Sequence, residues 1–369
     1  MNTVPATTAS SEPSATADAA RSEPVVVAIV TPLETELVDR IAAVDHRLDI
    51  RYQPDLLPPP RFPCDHRGVD SFHRTPEQHT RWLRMLAEAE VLFGLPGDSG
   101  AGLADAVRTC PGLRWVQATA GGAGEQVDAA ALSRDELQRV QITRAGGVHV
   151  GPLAEFAMLG ILAVTKDLPR LLADKHAHAW DHYPMDELRE RTALLVGIGP
   201  IGAEIARLAA AFGMRVLAVN RTGHTDSPDV VETRPADDLD ELLPRADAVV
   251  ITLPLTEQTR GMIGTRQIAL MRPDTVVVNV GRGAVIDEAA LADALAHERL
   301  RGAALDVFET EPLPGDSPLW RLPNVLVSPH TAGLSLHENE RIVELFCDNL
   351  QRYLRGRELL GLIAPPAAD

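Results

Sequence analysis

The run Gly197-Ile198-Gly199-Pro200-Ile201-Gly202 constrains this chain more than any other six residues. It follows Ala193-Leu194-Leu195-Val196, which reads as a buried strand, and opens onto Ala203 to Ala211, a strong helix-forming stretch. Strand, glycine turn and helix in that order predict the opening unit of a doubly wound parallel sheet. Gly197 permits a tight turn, Gly199 lets the backbone approach a pyrophosphate, and Gly202 lets helix and strand pack closely. Unsatisfied amides at the helix start, where Pro200 and Ile201 stand, favour the charge of a phosphate. A dinucleotide is the expected ligand.

The sequence on either side extends the pattern. LLVGIG, RVLAVN, DAVVITLP, TVVVNVG, AALDVF and NVLVSPH are six strand-like runs separated by helical segments, as one parallel sheet requires. A separate set precedes them: VVVAIV from Val25, then strands at 48–52, 91–95, 114–119 and 140–143, with helices at 33–44, 102–108 and 129–138. Residues 54–75 form a proline-, arginine- and histidine-rich excursion, either a lid or a disordered segment. The excursion ends at Thr75-Pro76-Glu77-Gln78, which reads as the N-cap, N1 and N3 positions of a helix. The apolar stretch Leu153 to Thr165 reads as a connecting helix buried on most sides, and an amphipathic helix from Leu336 to Leu354 returns to the first sheet.

With 369 residues, about twice one domain's usual size, the expected fold class is α/β: two doubly wound parallel-sheet domains. The Rossmann cofactor domain, 149–332, is inserted in a flavodoxin-like substrate domain, 25–148 with 333–369. Residues 1–24 are small, polar and broken by proline, and read as a disordered tail.

Charge narrows the function classes. A net charge of -17 argues against a nucleic-acid surface, and it means that an anionic substrate must be held by a local cation. Cys64, Cys110 and Cys347 are too few and scattered for a disulfide framework or a zinc site, so no metal is expected and a cytoplasmic location is. The longest apolar run, 156–164, is too short to span a membrane.

Four places at strand ends carry chemistry. Asn220-Arg221-Thr222 offers an amide, a cation and a hydroxyl where an acid would otherwise contact the adenosine ribose, which favours NADP and leaves NAD open. Arg282, between glycines in NVGRGAVIDEAAL, can grip a carboxylate in bidentate fashion and steady oxyanion character on a carbonyl. Glu311 in LDVFETEPLP and His330 in NVLVSPHTAG supply an acid and an imidazole. Should the two meet, the carboxylate fixes the tautomer and favours the imidazolium, and His330 can pass a proton to a ketone oxygen or take it back.

These phrases resemble the D-isomer-specific 2-hydroxyacid dehydrogenases, a family that includes glyoxylate/hydroxypyruvate reductases and phosphoglycerate dehydrogenases. The match runs from about Val25 to Leu360. The resemblance implies that Arg282, Glu311 and His330 are the catalytic triplet and that Asp306 contacts the nucleotide. It also implies that the loop holding Leu253, Pro254 and Thr259, together with Val280 and Gly281, lines the nucleotide crevice, and that Gly121 and Gly122 bind the substrate carboxylate. Glu155 matches as a structural residue of the connecting helix. Ala123-Gly124 replaces the family's usual Val-Asp pair, which leaves the substrate open. The expected reaction is NAD(P)H-dependent reduction of a small 2-keto acid to the D-2-hydroxy acid, in a homodimer without nucleic-acid or membrane partners. Alternatives are D-3-phosphoglycerate oxidation and a non-catalytic NAD(H)-sensing, corepressor-like binding protein. Formate oxidation fits less well, since the family's formate enzymes do not keep the acid found here at Glu311.

Overall fold

Short β-branched and aliphatic runs set the architecture of the computed structural model, which describes residues 24–363. The tail expected over residues 1–24 thus lies outside the described residues except for Pro24. Two compact units divide the chain: Met1–Gly146 with Leu336–Asp369, and Gly147–Ser335.

In the first unit, five parallel strands, β1 (Val25–Ile29), β2 (Leu48–Arg51), β3 (Val91–Phe93), β4 (Trp115–Gln117) and β5 (Gln141–Thr143), stand in the order β2-β1-β3-β4-β5. Helices α1 (Thr35–Ala42), α2 (Pro76–Ala87) and α3 (Gly100–Thr109) connect β1 through β4. Thr75 and Gln78 form the reciprocal cap of α2 that their spacing announces. The helix expected over 129–138 is instead two, α4 (Gly124–Ala129) and α5 (Arg134–Arg139). Left-handed Ala131 breaks the chain between them, and Ser133 with Glu136 caps the second.

The excursion over 54–75 is ordered and folds onto its own unit. Leu56 and Leu57 are buried in the core behind β1, and the Arg61 guanidinium holds the buried Asp65 carboxyl well below the usual carboxylate range. That ion pair and the Thr31–His66 hydrogen bond, 3.1 Å, tie down a segment too polar to be held by apolar contacts alone.

The second unit begins with α6 (Val150–Thr165) and α7 (Leu168–Ala177). Its strands are β6 (Thr192–Val196), β7 (Arg215–Asn220), β8 (Glu232–Pro235), β9 (Ala248–Ile251), β10 (Val276–Asn279), β11 (Gly302–Leu305) and β12 (Val325–Val327). They form one seven-stranded parallel sheet, β12-β11-β10-β9-β6-β7-β8, covered by α8 (Pro200–Ala211), α9 (Leu239–Leu242), α10 (Thr265–Leu270) and α11 (Glu288–Ala296). Every residue of β9, β10 and β11 is buried, as befits strands covered on both faces. Each fully buried Val or Leu there contributes roughly 1.5–3 kcal/mol.

Three features depart from the sequence reading. The seventh strand, β8, is a polar edge strand of sequence ETRP, held by Glu232, whose carboxyl Arg245 and Arg234 draw down to about 2. Helix α7 buries no side chain and so has no core stripe to betray it. And α6 is a core helix of this unit, its Ala154, Ala157, Met158 and Ile161 packed with Leu195, Ile205 and Val278, rather than a connector. The last helix, α12 (Glu338–Leu354), belongs to the first unit, where Phe346 stacks against Phe93 and Trp115 at ring-centroid distances of 4.9 Å. Among the described residues, no helix is long and apolar enough to cross a membrane.

Candidate active site

All strands of the second unit are parallel, so the loops after them leave the same edge of the sheet, where ligands bind in such folds. The glycine turn follows β6. Gly197 has φ +103°, and an added Cβ would lie 2.8 Å from Thr252 Oγ1, so only glycine fits. Gly202 packs against the carbonyl of Gly197, 2.6 Å from where a Cβ would sit. Above Gly199, by contrast, a Cβ would meet nothing within 4 Å, and no side chain caps the start of α8 there. Exposed backbone and uncapped first-turn amides are what a pyrophosphate needs, so these residues fit a dinucleotide.

At the end of β7, Asn220 Oδ1 accepts hydrogen bonds from the amides of Thr222, 3.0 Å, and Gly223, 2.6 Å. The Asn220 side chain therefore shapes the turn, and exposed Arg221 stands at its tip. After β9, the hydroxyl of Thr259 is engaged by Pro254 O and Thr256 N, 2.7 and 2.8 Å away, which closes the loop on itself. Exposed Pro254 and half-buried Leu253 stand on that loop, whose backbone presses on Gly281: a Cβ there would lie 2.6 Å from Leu253 O. Val280 is buried, its amide bonded to Ile251 O.

Arg282 follows β10 and is half-buried. Asn279 braces its turn, with Nδ2 donating to Arg282 O and Oδ1 accepting from Gly281 N, both at 3.0 Å. The next residue, Gly283, touches the loop after β11 so closely that a Cβ would fall 1.9 Å from the carbonyl carbon of Phe308. That wedge joins the Arg282 turn to the Glu311 turn. Glu311 Oε1 accepts from Phe308 N, 3.0 Å, and Oε2 lies 2.7 Å from His330 Nδ1. An ionised carboxylate can only accept, so Nδ1 carries the proton toward Glu311 and Nε2 is left to exchange one with a ligand. Both side chains remain partly open to solvent.

Asp306, expected from resemblance to contact the nucleotide, is 1% exposed, and its Oδ1 accepts from Ser328 Oγ, Thr331 N and Ala332 N at 2.7, 2.9 and 2.9 Å. That oxygen holds the His330 loop. Gly121 and Gly122 follow β4 in the first unit, in the turn before α4. Asn279, Ser328 and the amide of Phe308 are site-bracing groups the sequence reading missed. Their only signal was position beside a strand end, which strand adjacency alone makes meaningful.

Comparisons with known proteins identify the family. Residues 158–332 match the family model for the D-isomer specific 2-hydroxyacid dehydrogenase, NAD binding domain. The chain is 34% identical over 300 residues to the glyoxylate/hydroxypyruvate reductase B of Yersinia pestis (strain Pestoides F), covering 79% of this chain and 90% of that protein. It is also 34% identical over 286 residues to a D-3-phosphoglycerate dehydrogenase of Methanocaldococcus jannaschii, 77% of this chain but about half, 53%, of that longer protein. A crystal structure of a D-isomer specific 2-hydroxyacid dehydrogenase from Xanthobacter autotrophicus Py2, in complex with NADPH and MES, superposes with a TM-score of 0.70 at 25% identity, over 92% of this chain and 98% of that one. On these matches the chain belongs to the D-isomer-specific 2-hydroxyacid dehydrogenases, NAD(P)-dependent oxidoreductases, with its NAD-binding domain at residues 158–332.

Proposed function

We propose that this protein reduces a small 2-keto acid of the glyoxylate or hydroxypyruvate type to the D-2-hydroxy acid, with NADPH preferred over NADH. The observation that carries the reading is the Glu311–His330 pair, 2.7 Å apart, with the Glu311 turn wedged against that of Arg282. The name of the Yersinia relative supports the substrate class.

Gly197, Gly199, Pro200, Ile201 and Gly202 would hold the pyrophosphate, and Asn220, Arg221 and Thr222 the adenosine end. When bound, the dinucleotide supplies a hydride. Arg282 pairs with the substrate carboxylate and stabilises negative charge growing on the carbonyl oxygen. Glu311 fixes the imidazole and offsets its positive charge, and His330 Nε2 gives its proton to that oxygen, so that the carbonyl becomes an alcohol. Run backward, the imidazole takes the proton from the alcohol. Gly121 and Gly122 would offer backbone amides to a substrate carboxylate.

Arg221 carries the NADPH preference, since a guanidinium suits a 2′-phosphate and no carboxylate stands at the end of β7. The Xanthobacter relative, solved with NADPH, supports it. A homodimer is supported by Leu171, Leu172, Trp180 and Met185, apolar side chains on and after α7 that are exposed in the single chain, Trp180 by 88%.

The test is loss of NADPH absorbance with purified protein and a panel of keto acids, run against NADH and, in reverse, D-3-phosphoglycerate with NADP or NAD. Turnover of glyoxylate or hydroxypyruvate is expected. Faster oxidation of D-3-phosphoglycerate would move the protein to the activity named for the Methanocaldococcus relative, and nucleotide binding without turnover of any acid would leave only a sensor.

A further inference from the structure

His330 adopts a conformation that a histidine does not choose. Its φ is +52°, in the left-handed region, which costs a residue with a Cβ on the order of 1 kcal/mol and persists only where the surroundings impose it. The surroundings here are one buried carboxylate. Asp306 comes directly after β11 and Ser328 directly after β12, and because Leu305 pairs with Val327, the two side chains face each other across neighbouring strands. Ser328 Oγ donates to Asp306 Oδ1 over 2.7 Å, and both residues are buried, 7% and 1% exposed. The same Oδ1 collects the amides of Thr331 and Ala332, while the Asp306 carbonyl accepts from His330 N, 2.9 Å. Every backbone amide from His330 to Ala332 therefore reaches Asp306, and that of His330 is shared with Ser328 O at 3.0 Å.

Of these bonds, the one from Ser328 is special. The two amides belong to the loop being held, and they move with it. The hydroxyl is set on the sheet, because Ser328 N bonds to Leu305 O at 2.8 Å, and it anchors the carboxylate to the strand rather than to the loop. We propose that Ser328 is a positioning residue for the proposed proton transfer: its hydroxyl locks Asp306, Asp306 locks His330 in its left-handed turn, and the turn delivers Nδ1 to Glu311. This rests on the reductase reading given above.

Without the hydroxyl, the carboxylate keeps only donors that share the motion of the loop, and the imidazole spends less time on Glu311. The effect falls on the proton-transfer step, since Ser328 follows the edge strand β12, which β11, β10 and β9 separate from β6 and its glycine turn.

The experiment compares Ser328→Ala, Ser328→Cys and Ser328→Thr with wild type in kcat, keto-acid KM, NADPH Kd, thermal midpoint and the pH profile of kcat. The alanine variant is expected to lose about tenfold in kcat, the scale of one hydrogen bond to a charged group, with NADPH Kd unchanged and the pH limb displaced. The cysteine variant, of the same shape but with a larger, weakly donating atom, behaves like alanine, and threonine restores most of the turnover. Wild-type kcat and pH profile in the alanine variant overturn the proposal, as does a threonine variant as slow as alanine, or NADPH affinity falling in step with kcat. If alanine does not fold, the cysteine variant decides, and wild-type turnover in it is the negative result. A wild-type protein inactive toward every keto acid refutes the reductase reading instead. Solvent exchange of the His330 Nδ1 proton, read by NMR, then still tests the brace, since it should quicken in the alanine variant as contact with Glu311 loosens, and unchanged exchange sinks it.

Discussion

Glu311 holds His330 by one carboxylate oxygen and the amide of Phe308 by the other, at 2.7 and 3.0 Å. The acid is thus aimed by the backbone of its own turn before it aims the imidazole. His330→Ala should lower turnover by about 10² to 10⁴, the usual range for a lost general acid, with NADPH binding retained. Glu311→Gln keeps the shape and loses the charge, and is expected to be slow but less so. Stopped-flow turnover alongside nucleotide fluorescence titration checks both, and unchanged turnover in His330→Ala would end the assignment.

Gly283 is the wedge between two turns. Its alanine variant must push Phe308 backbone aside, since the new Cβ would lie 1.9 Å from a carbonyl carbon that no rotamer change can move. Overpacking of this kind costs about 1–3 kcal/mol. We expect Gly283→Ala to melt several degrees lower, and kcat/KM to fall beyond what the lost folded fraction explains, measured at a temperature where the variant is fully folded.

Arg221→Ala should raise Kd for NADPH at least about tenfold, the scale of a charged hydrogen bond, and leave that for NADH nearly alone. Equal losses for both nucleotides, read by isothermal titration, would show that Arg221 never meets the 2′-phosphate.

Acid sensitivity should report on the opposite edge of the same sheet. The guanidiniums of Arg191 and Arg301 hold the Asp186 carboxyl down from its ordinary 3.8 to about 2. A group depressed on folding contributes stability above its unfolded pKa and loses it as pH falls through the folded value. Asp186→Asn should therefore cost about 1–2 kcal/mol at pH 7 and almost nothing near pH 2, after allowance for solvent screening. Urea midpoints at the two pH values test this, and an equal deficit at both would point to packing instead.

Trp180→Ala, at an almost fully exposed ring, should leave fold and melting of the isolated chain unchanged while weakening self-association. Light scattering over a dilution series reads the result. Identical mass for variant and wild type at every concentration would remove this face as the contact between copies.

What was legible in the sequence follows physical lines. Apolar strands announce themselves through continuous Val, Leu and Ala, so β6, β7 and β9 to β12 could be placed from residues alone. Arg282, Glu311 and His330 were legible because each combines reactive chemistry with a strand end and glycine or proline neighbours. Strand β8 was not, since ETRP is polar and lies on an edge, and α7 was not, since it buries nothing. The braces were hidden for another reason. Ser328 means little until β12 is known to lie beside β11, and Asn279 little until the Arg282 turn closes over it. Asp306 was legible as a carboxylate at a strand end, while the bonds from its Oδ1 to the backbone beside His330 were not.

The order of strands in the seven-stranded sheet has a lasting consequence. Loops after β6, β7 and β9 carry the glycine turn, Arg221 and Leu253, while those after β10, β11 and β12 carry Arg282, Glu311 and His330, with no strand of one group among the other. On the proposed roles, coenzyme choice and acid–base chemistry would be written on separate halves of one edge. A lineage could then retune which nucleotide it accepts by editing one half, while the other keeps its proton-handling apparatus whole.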